Sequence, residues 1–245
     1  SKKKAERQAE EEAIREAARI KVSTPIEAAS GTGFAISSDG YLITNNHVID
    51  GCTDVKVHDQ GTAITAKVIS QDAVNDLALI KADFEPRNVF VLSDEPPKLM
   101  QDVYVAGFPF GKSISASVKV TGGIVSSLTG LGNNFSNMQI DAALQPGNSG
   151  GPIFTKNGQV IGVAVAKLDL KKVIENFGTI PENTNFGIKT SVVRNLLDAN
   201  NIILDSSFLN TIKQDQLGDL VTEATYFLSC WMTIAQIKNM KTQRV

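Results

Sequence analysis

Residues that build special chemistry are scarce in this chain. Its 245 residues include two histidines, two cysteines and one tryptophan. Cys52 and Cys230 are too few for a disulfide scaffold or a four-ligand zinc site. Their distance in sequence favours two free buried thiols, with a bridge between them as the alternative. No His/Cys/Asp cluster has ligand spacing, so neither a metal nor a cofactor is expected. A basic surplus is also missing. The formal charge is −2, which leaves nothing to neutralise phosphates and argues against nucleic acid as a partner. No apolar run is long enough to cross a bilayer. The most apolar long window, 217–237, carries Asp219, Glu223 and Gln236 and reads as a buried or partner-facing helix. The sequence starts at Ser1 without a methionine or an apolar signal core, and reads as a processed piece with any targeting segment or membrane anchor upstream.

What is present is an ordinary core composition, 42% hydrophobic and 20% charged. Residues 1–22 are rich in Ala, Glu, Lys and Arg and form a charged helical extension or linker. Residues 23–204 are mostly short apolar runs between turn residues. Val55 and Val57 alternate with polar neighbours, as do Ile64, Ala66 and Val68, and Val103 and Val105. Ser38-Asp39-Gly40 and Lys156-Asn157-Gly158 read as hairpin turns. The run 160–165 is apolar on both faces and should be a core strand. Such patterning indicates an all-β sandwich or barrel. Thr190-Ser191 then offers a cap for a closing helix ending near Asn200-Asn201. Residues 205–245 read as a helical C-terminal extension, with an apolar face at Tyr226, Phe227, Cys230, Trp231 and Ile234 that should pack on the core.

The segment Asp141-Ala-Ala-Leu-Gln-Pro-Gly-Asn-Ser-Gly-Gly-Pro152 sets Ser149 among glycines. They allow a sharp turn, in which the N–H groups of Gly147 and Ser149 can converge beside the hydroxyl, as acyl transfer requires. Gly147-x-Ser149-x-Gly151 also fits the nucleophile elbow of α/β-hydrolases, which place their histidine after the serine. Both histidines here, His47 and His58, precede Ser149, so the elbow is excluded. His47 follows a strand and the polar pair Asn45-Asn46. Asp76 heads the apolar run 77–80, where a partly buried carboxylate needs a partner, and an imidazole N–H serves. Each residue alone is more often structural. The order histidine, acid, glycine-rich serine loop selects His47, Asp76 and Ser149 together. His58 alternates outward beside Asp59 and reads as a surface residue.

These segments resemble the trypsin-like fold, and more closely the HtrA/Deg serine proteases. The likeness runs over roughly residues 24–200: Gly31-Thr-Gly-Phe-Ala-Ile36, Gly40-Tyr-Leu-Ile-Thr-Asn-Asn-His-Val-Ile49, Asn75-Asp-Leu-Ala-Leu-Ile80, Val105-Ala-Gly-Phe-Pro-Phe-Gly111, Val120-Thr-Gly-Gly-Ile-Val125, the serine segment and Asn185-Phe-Gly-Ile188. The resemblance implies a chymotrypsin-like double six-stranded β-barrel, here with helical extensions at both ends. It implies that His47 is base then acid, Asp76 its orienting acid and Ser149 the nucleophile, with Gly147, Asn148 and Ser149 forming the oxyanion hole. Asn148 stands where trypsin-like zymogens carry an aspartate. An amide cannot pair with a new N-terminus, so control by loop ordering is implied, with the segment before Ser149 and residues 167–185 as the loops. The primary pocket is expected at Leu144, Gln145, Ala164, Val165, Phe186 and Gly187. No carboxylate stands there, which favours small to medium aliphatic side chains over Lys or Arg.

The resemblance also implies a bacterial, extracytoplasmic endopeptidase of protein quality control, acting on unfolded or damaged proteins. Two departures are plain. Residues 205–245 do not read as the PDZ domain usual in that family. Its trimers use N-terminal aromatic contacts, whereas residues 1–30 hold no aromatic residue. A homo-oligomer therefore has no trimer signature. The rival readings are a silent or latent relative that binds peptides or partners, and a scaffold working through its helical ends.

Overall fold

A computed structural model describes residues 22–111, 117–166, 184–204 and 214–243, together with Arg7, Glu11, Glu12 and Arg15, which are helical and exposed. Two antiparallel barrels carry the fold. The first is built from β1 (Ile26–Ala35), β2 (Tyr41–Thr44), β3 (Asp54–Asp59), β4 (Thr62–Asp72) and β5 (Leu77–Ala82), with a one-turn helix α1 (Asn46–Ile49) after β2. The second uses β7 (Asp102–Gly107), β8 (Lys119–Ser127), β9 (Asn137–Ile140), β10 (Pro152–Phe154), β11 (Gln159–Val165) and β12 (Asn185–Lys189). It closes through the β10–β11 pairing, and the short β6 (Val91–Leu92) lies parallel to β11.

The period-two pattern explains the layering. In β5, Ala78 and Ile80 face the first barrel's interior with Leu42, Val57 and Leu228. Leu77 and Leu79 face the other way, into a core shared with Phe154, Val160 and Ile188 of the second barrel and with Val193 and Leu197 of α2 (Thr190–Ala199). That is why the run is apolar on both faces. The second barrel fills its own interior with Val103, Val105, Met138, Ile140 and Ile161. Both predicted hairpins form, with Gly40 at φ +92° and Gly158 at φ +78°, the left-handed region that favours glycine. α2 begins at Thr190 itself. Lys189 occupies the N-cap without a side-chain cap bond, so the predicted Thr190-Ser191 cap falls inside the helix.

The C-terminal region departs from its sequence pattern. Helices form at α3 (Leu217–Ala224) and α4 (Ile234–Gln243), but Thr225–Met232 between them is a strand, β13. It enters the first barrel between β1 and β3 and completes the closed order β1-β13-β3-β4-β5-β2. Its register runs from Ile26↔Met232 to Phe34↔Thr225 on one side and from Phe227↔His58 to Trp231↔Asp54 on the other. A helix-compatible apolar stretch becomes strand because two open edges offer it a full ladder of partners and a barrel interior for Tyr226 and Leu228. Of the predicted apolar face, Tyr226, Phe227 and Cys230 are thus buried as part of a sheet, whereas Trp231 is half-buried and Ile234 belongs to α4.

Two further expectations change with it. Cys52 and Cys230 form a disulfide with Cα atoms 5.4 Å apart, because β13 returns the chain's end to the start of β3. His58 does point out of the barrel, but it is half-buried there, with Nε2 hydrogen-bonded to Ser229 Oγ at 2.7 Å and its ring 5.0 Å from that of Phe227. Among the described residues, no helix is long and apolar enough to cross a membrane.

Candidate active site

Both barrels contribute to a site at their junction. β2 delivers the chain into α1, and a web of bonds to Asp76 fixes that helix. The Asp76 carbonyl accepts from Asn46 N at 3.2 Å and from Asn45 Nδ2 at 2.9 Å. Its carboxylate accepts from the His47 backbone N–H at 2.9 Å through Oδ1 and meets His47 Nδ1 at 2.6 Å through Oδ2. Asp76 therefore holds both the backbone and the ring of His47. It does so from φ +56°, a left-handed conformation that Asp and Asn tolerate better than most residues.

Asp72 builds the turn that presents Asp76. Its Oδ1 accepts from Val74 N at 3.1 Å and Asn75 N at 3.0 Å, and its Oδ2 from Asn75 Nδ2 at 2.6 Å. Burial pushes the carboxyl's pKa up, but these donors outweigh it and hold Asp72 below the ordinary carboxylate range. A depressed folded-state pKa means that the turn's stabilisation is complete above the ordinary range and is lost as pH falls through the folded value.

The Ser149 loop is packed as tightly as its glycines imply. Gly147 is at φ +103°, and a Cβ there would lie 2.3 Å from Phe108 O. At Gly150, φ +85°, one would lie 2.2 Å from Thr32 O. Thr32 donates from Oγ1 to Gly147 O at 2.7 Å and accepts from Phe108 N at 3.1 Å, while its own N–H donates to Ser149 O at 2.9 Å. Sequence reasoning passed over Thr32. The only local signal is its place between two glycines in Gly31-Thr-Gly33.

Ser149 is 5% exposed and its Oγ accepts from Ala166 N at 3.2 Å. Among the described residues, no hydrogen bond joins Ser149 to His47, and the N–H groups of Gly147 and Ser149 have no protein acceptor. Asn148 between them is buried, and its Oδ1 has no hydrogen-bond partner among the described residues.

The expected pocket residues fall on two sides of this loop. Ala164 exchanges backbone bonds with it, Gly150 N to Ala164 O at 2.9 Å and Ala164 N to Gly151 O at 2.8 Å. Across the ladder Ala164 faces Gly187, and Val165 faces Phe186. Leu144 packs against the second barrel's core and Gln145 is exposed. Of the predicted control loop 167–185, residues 167–183 lie outside the described residues. A cavity of about 510 Å³ opens at His58, Arg87, Phe108 and Tyr226, and none of His47, Asp76 and Ser149 lines it. Among the described residues, no group of three His, Cys, Asp or Glu side chains could hold a metal.

Comparison with known proteins places these elements in context. The sequence pattern described as "Trypsin-like peptidase domain" matches residues 31–163, more than half of the chain. An uncharacterized protein, y4bJ, of Sinorhizobium fredii is 38% identical over 161 residues, covering 65% of this chain and 25% of its own length. A probable periplasmic serine endoprotease, DegP-like, of Bartonella henselae is 44% identical over 146 residues, covering 56% of this chain and 28% of its own length. This chain thus spans about a quarter of those relatives. A crystal structure of the serine endoprotease from Yersinia pestis superposes with a TM-score of 0.58 at 27% identity, over 71% of this chain and 58% of that one. β13 lies outside the matched residues 31–163.

Proposed function

The chain belongs to the trypsin-like peptidase family, and on that premise we propose that it is a serine endopeptidase whose triad is His47, Asp76 and Ser149. The observations that carry the proposal are the two-point hold of Asp76 on His47 and a buried Ser149 on a glycine-shaped loop whose Gly150 lies against Asn45, two residues before His47. With Nδ1–H given to Asp76, His47 Nε2 is left as the base. It takes the Ser149 proton as Oγ attacks the scissile carbonyl, and the Gly147 and Ser149 N–H groups bind the resulting oxyanion. His47 then gives that proton to the leaving amine, and water hydrolyses the acyl-enzyme by the same path. The apolar surroundings at Ala164, Val165 and Phe186 favour small to medium apolar side chains before the cut bond.

The DegP-like relatives are named periplasmic, and the Cys52–Cys230 bridge suits an oxidising compartment. We place this chain outside the cytoplasm on that footing, with unfolded or damaged proteins as its substrate class. A second reading, a latent enzyme, draws on the Ser149 Oγ bond to Ala166 in place of one to His47.

Exposure to a fluorophosphonate followed by intact mass separates the two. One adduct on the parent and none on Ser149→Ala is the expected result. A folded parent that takes no adduct sinks the active-triad reading in favour of latency. A related outcome concerns the oxyanion loop. Gly147→Ala forces a Cβ against Phe108 O in a conformation that disfavours it. It should slow labelling by about 100-fold or more, the scale of losing one oxyanion donor, with the β-sheet circular dichroism intact.

A further inference from the structure

Two buried polar atoms of opposite kind, Lys119 Nζ, a donor, and Asn148 Oδ1, an acceptor, have no hydrogen-bond partner among the described residues. An orphaned buried polar atom is costly, and each such atom in a native fold needs a reason. Their placement supplies one. Lys119 pairs with Gly107 in the β7–β8 ladder, and directly paired residues in an antiparallel ladder point to the same face with Cβ atoms about 5 Å apart. On that face a Cβ at Gly107 would sit 2.7 Å from Asn148 Oδ1. Because position 107 has no side chain, the way from the flexible four-carbon stem of Lys119 to the Asn148 amide stays open. Thr32 Oγ1 also lies beside Gly107, and it is already engaged with Gly147 O and Phe108 N.

We propose that Lys119 is a positioning residue for the serine loop: its ammonium donates to Asn148 Oδ1 and so latches the Gly147–Ser149 backbone in the oxyanion-binding arrangement. The inference rests on Ser149 being the nucleophile. Asn148 lies between the two oxyanion donors, so a bond to its side chain limits rotation of both flanking peptides. Lys119 thereby meets the need that a zymogen aspartate meets with a new N-terminus, using a side chain from the adjacent ladder. In the structure the latch is open and Ser149 Oγ accepts from Ala166 N.

The test measures fluorophosphonate labelling rates and Tm for the parent, Lys119→Met, Lys119→Arg, Asn148→Asp and the Lys119→Met/Asn148→Asp double variant. Lys119→Met should label at least ~10-fold more slowly while its Tm holds or rises, since a buried unpaired donor is exchanged for an apolar chain of similar size. Lys119→Arg should recover most of the rate. If Lys119→Met does not fold, Asn148→Leu removes the acceptor instead and should slow labelling to the same degree. A parent rate in the variant that lacks donor or acceptor overturns the latch. If the parent itself does not label, the reading of Ser149 fails, and the Tm values alone decide. Asn148→Asp should then be tolerated beside Lys119 and cost at least about 5 °C more in the Lys119→Met background. Additive Tm changes would overturn the latch in that case.

Discussion

Removal of residues 225–245 is expected to leave a chain that does not fold, although the cut lies well outside the residues matched to the peptidase family. β13 is hydrogen-bonded on both sides, to β1 and to β3. It buries Tyr226, Phe227, Leu228, Cys230 and Met232 to 5% exposure or less. Burying a large apolar side chain is worth about 1.5–3 kcal/mol. Four such side chains, Tyr226, Phe227, Leu228 and Met232, rival the ~5–15 kcal/mol net stability of a whole domain. Circular dichroism and a thermal melt of the truncated chain would decide it, and a cooperative melt near that of the parent would refute the role given to β13. The disulfide offers a graded version of the same test. Replacing both Cys52 and Cys230 by serine opens a closure spanning 178 residues and should cost about 2–5 kcal/mol. A dithiol reductant should lower the parent's denaturation midpoint and leave that of the double serine variant unchanged.

Asp76→Asn should lower kcat by about 10⁴-fold while leaving the fold intact. Asparagine is isosteric and tolerates the left-handed backbone at φ +56°. The wild-type carboxylate accepts two hydrogen bonds from residue 47, one from the backbone N–H and one from Nδ1. An amide offers one oxygen. If that oxygen keeps the backbone N–H, its NH₂ faces Nδ1 and drives the ring to the tautomer with the proton on Nε2, which can no longer accept from Ser149. The readout is steady-state turnover of a peptide substrate beside the Tm. A Tm within a few degrees of the parent together with a loss below 10-fold would remove Asp76 from the proposed triad. Asp76→Ala is the less informative variant, because alanine is strained at that φ.

The contrast between motif and topology explains what could be read from the sequence. His47, Asp76 and Ser149 each sit in a short segment whose chemistry is local: a polar pair before a helix turn, an acid heading a strand, glycines around a serine. Strands β3, β4, β7 and β11 declare themselves by alternation or by double-sided burial. β13 does not, since Tyr226 to Met232 is apolar with no clean period, and only the open edges of β1 and β3 decide its conformation. The bridge to Cys52 and the half-burial of His58 depend on that pairing, so they were equally hidden. Thr32 and Lys119 escape notice for a related reason. Their importance lies in what stands opposite them in space, Gly147 for one and Gly107 for the other.

The late position of β13 has a bearing on how the molecule comes into being. Synthesis proceeds from the N-terminus, so β1 and β3 exist as unpaired edges until the last of the barrel's strands has been made. The half carrying His47 and Asp76 is therefore the half that must wait, whereas the strands of the second barrel lie together in one stretch of chain. A nascent chain of this design meets its surroundings before its proposed base is fixed in place. Closing the first barrel across so long a sequence separation makes it a slow, non-local event. The interval before closure is when the exposed edges are most open to mispairing with another chain.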